Sequence, residues 1–424
     1  MDSSLDLLRP SDPGYGAVTS PWTASAVQRP ALVARVRSYE GVVDAVRLAE
    51  RSGLTVAVQC SGHGAAGELD ERTLLVDTSR LVSVSVDRAA RTAVVGAGTT
   101  WGDVAAVTGS SGLSGLAGTS AGVGVAGYTF HGGIGWLARA HGLAAARLTA
   151  VSYVDAAGAV RTTSEAVDPE ALWVFRGGGG IGVATELEFG LVPAGPVWAG
   201  YLLWPEEALG DVAGVWAGLV DRLPESVSTV LGRLGMAPVE PVRGAPVAYL
   251  GVCATDLAAG QAFSAAVAGA LPAPVVAAVG EMPTSGLGAI HLDPPGPVPA
   301  LGDSRFLTSA AATADILAAA GSLGEVEVRH VGTVPGPHGA LTSAPAPFLL
   351  HATGAAGEPG TLDDLAAVLA AAAPVDSGRS FAALRDGQPT APDALLPSHA
   401  ADLARIRRER DPAGRVTPAR SLTA

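Results

Sequence analysis

Val58-Gln59-Cys60-Ser61-Gly62-His63-Gly64-Ala65-Ala66-Gly67 closely follows the apolar start of the run Leu54 to Val58 and sets one imidazole at the tip of a glycine-rich loop. Gly62 and Gly64 lack a Cβ, so backbone N–H groups there approach phosphate oxygens closely and take positive φ where needed. A strand that leads into such a loop reads as a cradle for a pyrophosphate with a nucleophilic ring beside it. Gln59, Cys60, Ser61, Gly62, Gly64 and Gly67 would then surround the anion, and the His63 imidazole would stand beside it. Taken alone, the loop also reads as a surface turn, so the rest of the chain has to decide.

The rest falls into an ordered series. Arg9-Pro10-Ser11-Asp12-Pro13-Gly14-Tyr15 and Arg29-Pro30-Ala31-Leu32-Val33 come before a helix-like stretch from Tyr39 to Ser52. After the histidine loop come strand-like Leu74 to Asp77, strand-like Ala93 to Gly98 and a helix beginning near Trp101. A second glycine loop runs Gly118-Thr119-Ser120-Ala121-Gly122-Val123-Gly124-Val125-Ala126-Gly127, followed by Gly132 to Leu143 and by Leu172 to Gly180. This series resembles the FAD-linked oxidoreductases of the berberine-bridge-enzyme-like group, within the vanillyl-alcohol-oxidase type that carries a PCMH-type FAD-binding domain. The resemblance runs through most of the chain and is strongest from about Leu54 to Pro193. An ordered set of this kind is far more specific than any single glycine loop.

The resemblance implies FAD as cofactor and His63 as the point of covalent attachment. It places Gly118, Thr119, Ser120, Gly122, Gly124, Gly127 and Tyr128 against the flavin ring, and Gly182 and Val183 at a third cofactor-binding stretch. Several departures stand beside these matches. Ser120 occupies the position of a cysteine that in many members forms a second flavin bond, which implies a single link here. Tyr128 and His131 put polar groups near the expected ring, as contacts to flavin or substrate or as space-filling groups bonded to backbone.

Alternation on Val326-Glu327-Val328-Arg329-His330-Val331 puts the valines on one face and Glu327 with Arg329 on the other. Arg329 matches a position where the resembled group commonly has a glutamate base, and a guanidinium cannot serve as one. It reads either as an electrostatic group at the cavity or as a surface arginine paired with Glu327. The catalytic candidates are therefore Arg329, Tyr128 and His131.

Length and composition bound the alternatives. A chain of 424 residues is long enough for two domains. The formal net charge of −13 and the lack of lysine argue against a nucleic-acid partner. The run Arg405 to Arg410 reads as one solvated face of a C-terminal helix. Cys60 and Cys253 are far apart, which disfavours a disulfide framework and is compatible with a reducing compartment. No stretch has the roughly twenty apolar residues of a membrane span, and residues 1–14 lack a leader-like pattern, so the expected location is cytoplasmic. Histidine spacing suggests no metal site. A nicotinamide site lacks its G-x-G-x-x-G fingerprint after the first strand, and a serine hydrolase lacks its elbow.

The expected fold is α+β, with residues 1–195 as the FAD-binding domain and 196–376 as a substrate domain. Residues 377–424 are expected to return to the first domain. The middle unit reads as a sheet covered by helices on one face and free to receive a substrate on the other. Leu292 to Leu301 and Pro335 to Pro347 read as surface loops rimming the site. The expected function is oxidation of a small hydrophobic or polyketide-like metabolite, with dioxygen as electron acceptor, in bacterial secondary metabolism. The alternatives left open are a flavin scaffold reused for a redox-neutral cyclisation or elimination, and a non-catalytic small-molecule binding protein.

Overall fold

The computed structural model describes residues 5–422. The chain opens with a four-stranded sheet of Leu5–Leu8 (β1), Leu32–Val36 (β2), Thr55–Gln59 (β3) and Thr73–Asp77 (β4), in spatial order β1-β2-β4-β3. Strands β2, β3 and β4 are parallel, and Tyr39–Ser52 (α1) makes the crossover between β2 and β3. Helix α1 starts where the Ser38 hydroxyl accepts the Gly41 N–H, and it stops at Gly53, whose φ of 67° suits a residue without a Cβ. Its Val42, Ala45, Val46 and Ala49 recur at helical spacing and are fully buried against Val56, Leu74 and Val76.

A second, antiparallel sheet follows, made of Val84–Asp87 (β5), Thr92–Gly96 (β6), Leu148–Val154 (β7), Val160–Ser164 (β8) and Val183–Gly190 (β9), in order β8-β7-β9-β6-β5. Helices that accompany it include Trp101–Thr108 (α2), Val125–Phe130 (α3) and Pro169–Phe175 (α4). Helix α2 begins in a reciprocal capping box between Thr100 and Asp103.

The third sheet has seven strands, all antiparallel. They are Val197–Pro205 (β10), Val227–Leu234 (β11), Val247–Ala254 (β12), Val276–Met282 (β13), Ala300–Leu307 (β14), Glu325–His330 (β15) and Phe348–Ala355 (β16), in order β13-β10-β12-β11-β15-β16-β14. One face packs under the helices Leu209–Val220 (α5), Leu257–Ala270 (α6), Thr313–Ala318 (α7) and Thr361–Ala372 (α8), where Trp216, Phe263, Ile316 and Val368 meet Leu231, Leu250, Val326 and Val328. The other face is divided. Around Glu325, Arg329, His351 and Thr353 it opens on a cavity, as the alternation suggested. Elsewhere Val230, Tyr249, Phe306 and Leu349 share one apolar core with Trp101, Phe130, Trp136 and Phe175 of the preceding layers, which cover the rest of it.

The last segment runs back to the first sheet. Helix Pro397–Arg410 (α9) is followed by a strand-like stretch in which Val56 N–H donates to Arg415 O at 2.7 Å and Thr417 N–H to Val56 O at 2.8 Å. The arginines of α9 are not one solvated face. Arg410 pairs with Asp168 at 2.7 Å and Glu170 at 3.1 Å, and Arg405 pairs with Glu170 at 3.0 Å, so the helix is docked on α4 by charge.

The stretch from Pro335 to Pro347 also departs from the surface loop expected of it. Ala340, Leu341, Thr342, Ala344 and Ala346 are buried, with Ala340 N–H on Trp173 O and Leu341 N–H on Arg176 O. Its prolines mark a lack of regular structure, and its alanines and leucine give it an apolar side to bury. Strands β13 and β14 have no clear signal in the sequence, because Val276–Met282 shows no apolar–polar alternation and includes Gly280 and Glu281, and Ala300–Leu307 carries Asp303, Ser304 and Arg305 in mid-strand.

Trp216 is completely buried under the third sheet, with its indole N–H donating to Thr229 Oγ1 at 2.9 Å. Trp216→Ala leaves both a cavity and an unpaired hydroxyl. It should lower unfolding free energy by about 3–5 kcal/mol in urea titrations, and a loss under 1 kcal/mol would show that this layer is loosely packed.

Candidate active site

One cavity of about 990 Å³ lies between the first layers and the third sheet. It is at the upper end of the roughly 300–1,000 Å³ of small-molecule sites, with room for a dinucleotide and more. Its walls are the loop after β3, the loop before α3, residues 179–182, the cavity face of β15 and β16, and residues 414–421.

The histidine loop is held in shape by its neighbours. Gly62 has φ +78°, and a Cβ there would sit 2.7 Å from Pro21 Cβ, so no other residue fits without displacing the chain. The His63 ring stacks on Trp22 with centroids 4.5 Å apart, and Thr23 Oγ1 donates to His63 O at 2.9 Å. Ser61 Oγ meets His63 Nδ1 at 2.8 Å and also accepts Gly124 N–H at 3.4 Å, tying the two glycine loops together. His63 Nε2 is buried with no partner among the described residues. Burial pushes the imidazole down to about 4, so it is neutral near pH 7.

The cavity brings together Gln59, Cys60, Ser61, Gly62, His63, Gly64 and Gly67 from the first loop, Gly118, Thr119, Ser120, Gly124, Gly127 and Tyr128 from the second, and Gly182, His131 and Arg329. Two expected residues fall outside its lining. Val183 begins β9 and is fully buried among Val46, Val76 and Val154, because strand alternation turns it away from Gly182. Gly122 lies behind His63, where an added Cβ would be 3.7 Å from Cε1. Cys60 is half-buried, with Sγ 3.4 Å from Gly98 O, and burial together with Asp77 raises its thiol to about 11, so it stays protonated.

Tyr128 and His131 flank the second loop. The Tyr128 ring lies under Gly118 and Gly133, where any Cβ would come within 2.8 Å, and its hydroxyl has no partner among the described residues. His131 Nδ1–H donates to Gly127 O at 2.8 Å, while Nε2 is buried and likewise without a partner among the described residues.

The third sheet contributes a buried ionic cluster. Glu327 is 1% exposed, and one of its carboxylate oxygens takes the guanidinium of Arg329. His291 bridges Glu327 at 3.0 Å through Nε2 and Asp293 at 2.8 Å through Nδ1. Glu325 Oε1 stands 3.4 Å from the same Nε2, and His351 Nε2 bonds Asp386 at 2.9 Å. Arg329 is thus paired with Glu327, as one reading of the strand had it, but in the interior and on the cavity wall instead of at the surface. Burial opposes ionisation of Glu327, yet Arg329 and His291 outweigh it and hold the carboxyl well below its usual range. Burial likewise opposes protonation of the two imidazoles. Glu327 and Glu325 hold His291 well above its usual value, and Asp386 and Glu327 raise His351 to about 9.

Sequence reasoning missed His291, Asp293, Glu325, His351 and Asp386. Extending the β15 alternation back by one step would have placed Glu325 beside Glu327. His291 and Asp293 stood in a proline-rich stretch that reads as a surface loop, and nothing local in the sequence indicates that it folds back onto β15.

The cavity fits FAD. Glycine backbones line one end, and Arg407, Arg408 and Arg420 supply cations for an anionic ligand. His63 Nε2, Tyr128 Oη, His131 Nε2, Gln28 Oε1 and Arg420 Nη2 all belong to lining residues and have no partner among the described residues, the pattern of a site that needs a polar ligand. No helix among the described residues is long and apolar enough to cross a membrane.

Comparison with known proteins agrees with this geometry. Residues 30–164 match the FAD binding domain family. The chain is 32% identical over 224 residues to (R)-6-hydroxynicotine oxidase of Paenarthrobacter nicotinovorans, covering 52% of this chain and 48% of that one. It is 30% identical over 213 residues to xylooligosaccharide oxidase of Thermothelomyces thermophilus, covering 48% and 41%. These matches span about half the length of the relatives, all FAD-linked oxidoreductases or oxidases by name. Over the whole chain the fold is that of 6-hydroxy-D-nicotine oxidase from Arthrobacter nicotinovorans, with TM-score 0.82 at 24% identity over 97% of this chain and 96% of that one. It is also that of Physcomitrella patens BBE-like 1, with TM-score 0.80 at 17% identity over 99% and 96%.

Two outcomes follow from the ionic cluster. Arg329→Ala strands the Glu327 carboxylate in the interior and should cost about 3–5 kcal/mol of stability by urea unfolding; a cost below 1 kcal/mol would show that the pair is not buried in solution. His351, whose pKa is raised to about 9 on folding from its usual 6.5, contributes stability that is complete below about pH 6.5 and lost as pH rises through 9. Unfolding midpoints should therefore fall across that window in the wild type, and His351→Asn should flatten the fall; an unchanged slope would contradict the His351–Asp386 pairing.

Proposed function

We infer that this chain, whose residues 30–164 form an FAD binding domain, is an FAD-dependent oxidase of a small organic substrate, with dioxygen as electron acceptor. The observation that carries the reading is one cavity bounded on one side by two glycine loops and His63, and on the other by Glu325, Arg329 and His291, with Glu327 holding the last two from behind. A cofactor cradle and a set of titratable groups share a single cavity, which is the arrangement of a redox active site. FAD, when bound, accepts two electrons as a hydride and passes them to dioxygen.

The protein's own residues have separable roles in this reading. His63 is the covalent attachment point. In the tautomer that donates Nδ1–H to Ser61 Oγ, the Nε2 lone pair stays open, and burial keeps the ring neutral and therefore nucleophilic. Ser120 offers no thiol, so the link is single. Gly62, Gly64 and Gly124 let backbone approach the cofactor, and Arg407 and Arg420 offset negative charge. Tyr128 and His131 place a phenol and an imidazole at the second loop, where their unpartnered atoms can bond flavin or substrate. Arg329, held by Glu327, keeps a fixed positive charge on the substrate wall. A small hydrophobic metabolite of bacterial secondary metabolism, oxidised in the cytoplasm, belongs to the same proposal. The two cysteines, both free, support a reducing location.

The relatives' names point to two candidate classes, a cyclic amine and an oligosaccharide. The direct test mixes flavin-loaded protein anaerobically with N-methylbenzylamine, benzyl alcohol and xylobiose. Bleaching by one of them, with colour restored and hydrogen peroxide formed on admitting oxygen, supports an oxidase. Product formation without oxygen and without bleaching would instead establish a redox-neutral reaction.

His63→Ala should leave a folded protein whose flavin is lost on acid precipitation, whereas the wild-type pellet stays yellow. A mutant pellet as yellow as wild type would remove His63 as the anchor.

A further inference from the structure

Resting on the oxidase reading above, we propose that Glu325 is the residue that takes the proton from the substrate's O–H or N–H while the adjacent C–H is oxidised. The inference comes from asking which group on the cavity wall is free to accept a proton. Arg329 is a guanidinium on a buried carboxylate and cannot. His291 has carboxylates at both ring nitrogens and His351 bonds Asp386, so both are held in the protonated form. His63 serves the cofactor, and the Tyr128 phenol is buried without a cation in contact. His131 has one nitrogen on Gly127 O and faces Arg407 and Arg420, which together with its burial make it a poor base.

Among the carboxylates, Asp293 is held by His291 through Oδ1, which with Arg329 keeps its carboxyl below the usual range despite burial, Asp386 accepts from His351, and Asp411 accepts the backbone N–H groups of Arg415 and Val416. Glu68 also lines the cavity but is solvent-exposed. Glu327 does not reach the lining and is shared between Arg329 and His291.

Glu325 differs from all of these. It lines the cavity with its side chain 21% exposed, and its nearest cation, His291 Nε2, is 3.4 Å away and closer to Glu327 at 3.0 Å. Strand alternation puts it on the same face as Glu327 and Arg329, opposite Thr353 of β16 and beside His351, which is opposite Glu327. The groups that face it are therefore Glu327 and Arg329 from its own strand, His351 from β16, and His291 with Asp293 from the loop before β14, with Asp386 behind His351. Burial and the Glu327 carboxylate raise the Glu325 pKa, while Arg329 and His291 lower that of Glu327. Two carboxylates two residues apart are thus driven in opposite directions, the pattern that separates a working acid–base group from a fixed charge. Glu325 accepts the proton, and Glu327 is a positioning residue that fixes Arg329 and His291.

The balance for an alcohol is as follows. The O–H bond breaks and its proton goes to the Glu325 carboxylate; the freed oxygen pair forms the second C–O bond; the C–H bond breaks and its pair leaves as hydride to the oxidised flavin. Dioxygen then takes the two electrons, and with the proton returned from Glu325 the products are a carbonyl compound and hydrogen peroxide. An amine follows the same course to an imine.

The test has one arm that needs no substrate. In infrared pH titration of the flavin-loaded protein, a protonated carboxyl band should disappear as pH rises from acid towards neutrality. The band should be missing in Glu325→Gln and displaced in Glu325→Asp. In the second arm, anaerobic flavin reduction by whichever of N-methylbenzylamine, benzyl alcohol and xylobiose bleaches the wild type should rise with pH. It should fall about 10²–10⁴-fold and lose its pH dependence in Glu325→Gln, at unchanged saturating concentration. A Glu325→Gln protein that keeps the band, or that reduces at the wild-type rate with the wild-type profile, overturns the assignment. Should that variant not fold, Glu325→Asp decides, and a band and profile unmoved from wild type overturn it equally. If none of the three probes bleaches the flavin, the oxidase reading loses its support while the infrared arm still decides whether Glu325 is the titrating carboxyl.

Discussion

Burying the Glu327 carboxylate is the constraint on which the rest of the site depends. A carboxylate 1% exposed persists in ionised form only if cations and hydrogen-bond donors are brought to it. Arg329 comes from the same strand two residues on, His291 comes from the stretch before β14, and His351 stands opposite it on β16. Satisfying one charge thereby fixes the register of β15, folds the 291–293 segment against the sheet and sets the orientation of three further side chains around the cavity. A one-residue slip of β15 would put Val326 and Val328 into the polar cavity and Glu325, Glu327 and Arg329 under the helices, which is prohibitive on both faces.

The opposite wall obeys a steric rule. Close approach between loops excludes side chains at Gly62, Gly118 and Gly124, and the space this leaves is lined with backbone and with the single ring of His63 stacked on Trp22. The two walls are coupled through charge: Asp293 and Asp386 both favour protonation of the His63 ring, against the larger effect of its burial. The cofactor wall is rich in backbone with its cations at Arg407, Arg408 and Arg420, and the substrate wall carries the buried ionic cluster. That division matches a cofactor held mainly by shape and a substrate whose protons must be moved.

How much of this was legible in the sequence depended on whether the signal was local. The histidine loop, the second glycine loop and the α1 crossover are set by residues a few positions apart, so their glycines and helical spacing were readable. The face of Arg329 was also readable, because strand alternation is local. Its burial was not, since that depends on Glu327 being enclosed by His291 and His351 from segments 36 residues before and 24 residues after it in the chain. Residues 335–347 and the arginines of α9 were misread for the same reason: prolines and a run of arginine look solvent-facing until the partners Trp173, Asp168 and Glu170 are known. The resemblance places Val183 at the cofactor with Gly182, whereas alternation at the start of β9 sends it into the core.

The central claim is that one cavity holds the flavin ring between the His63 loop and the wall carrying Glu325 and Arg329. A crystal structure of the flavin-loaded protein tests it most directly. The account predicts FAD density filling the cavity, with the ring beside His63 and open to Glu325 and Arg329. Flavin bound elsewhere, or a ring screened by protein from that charged wall, would contradict it.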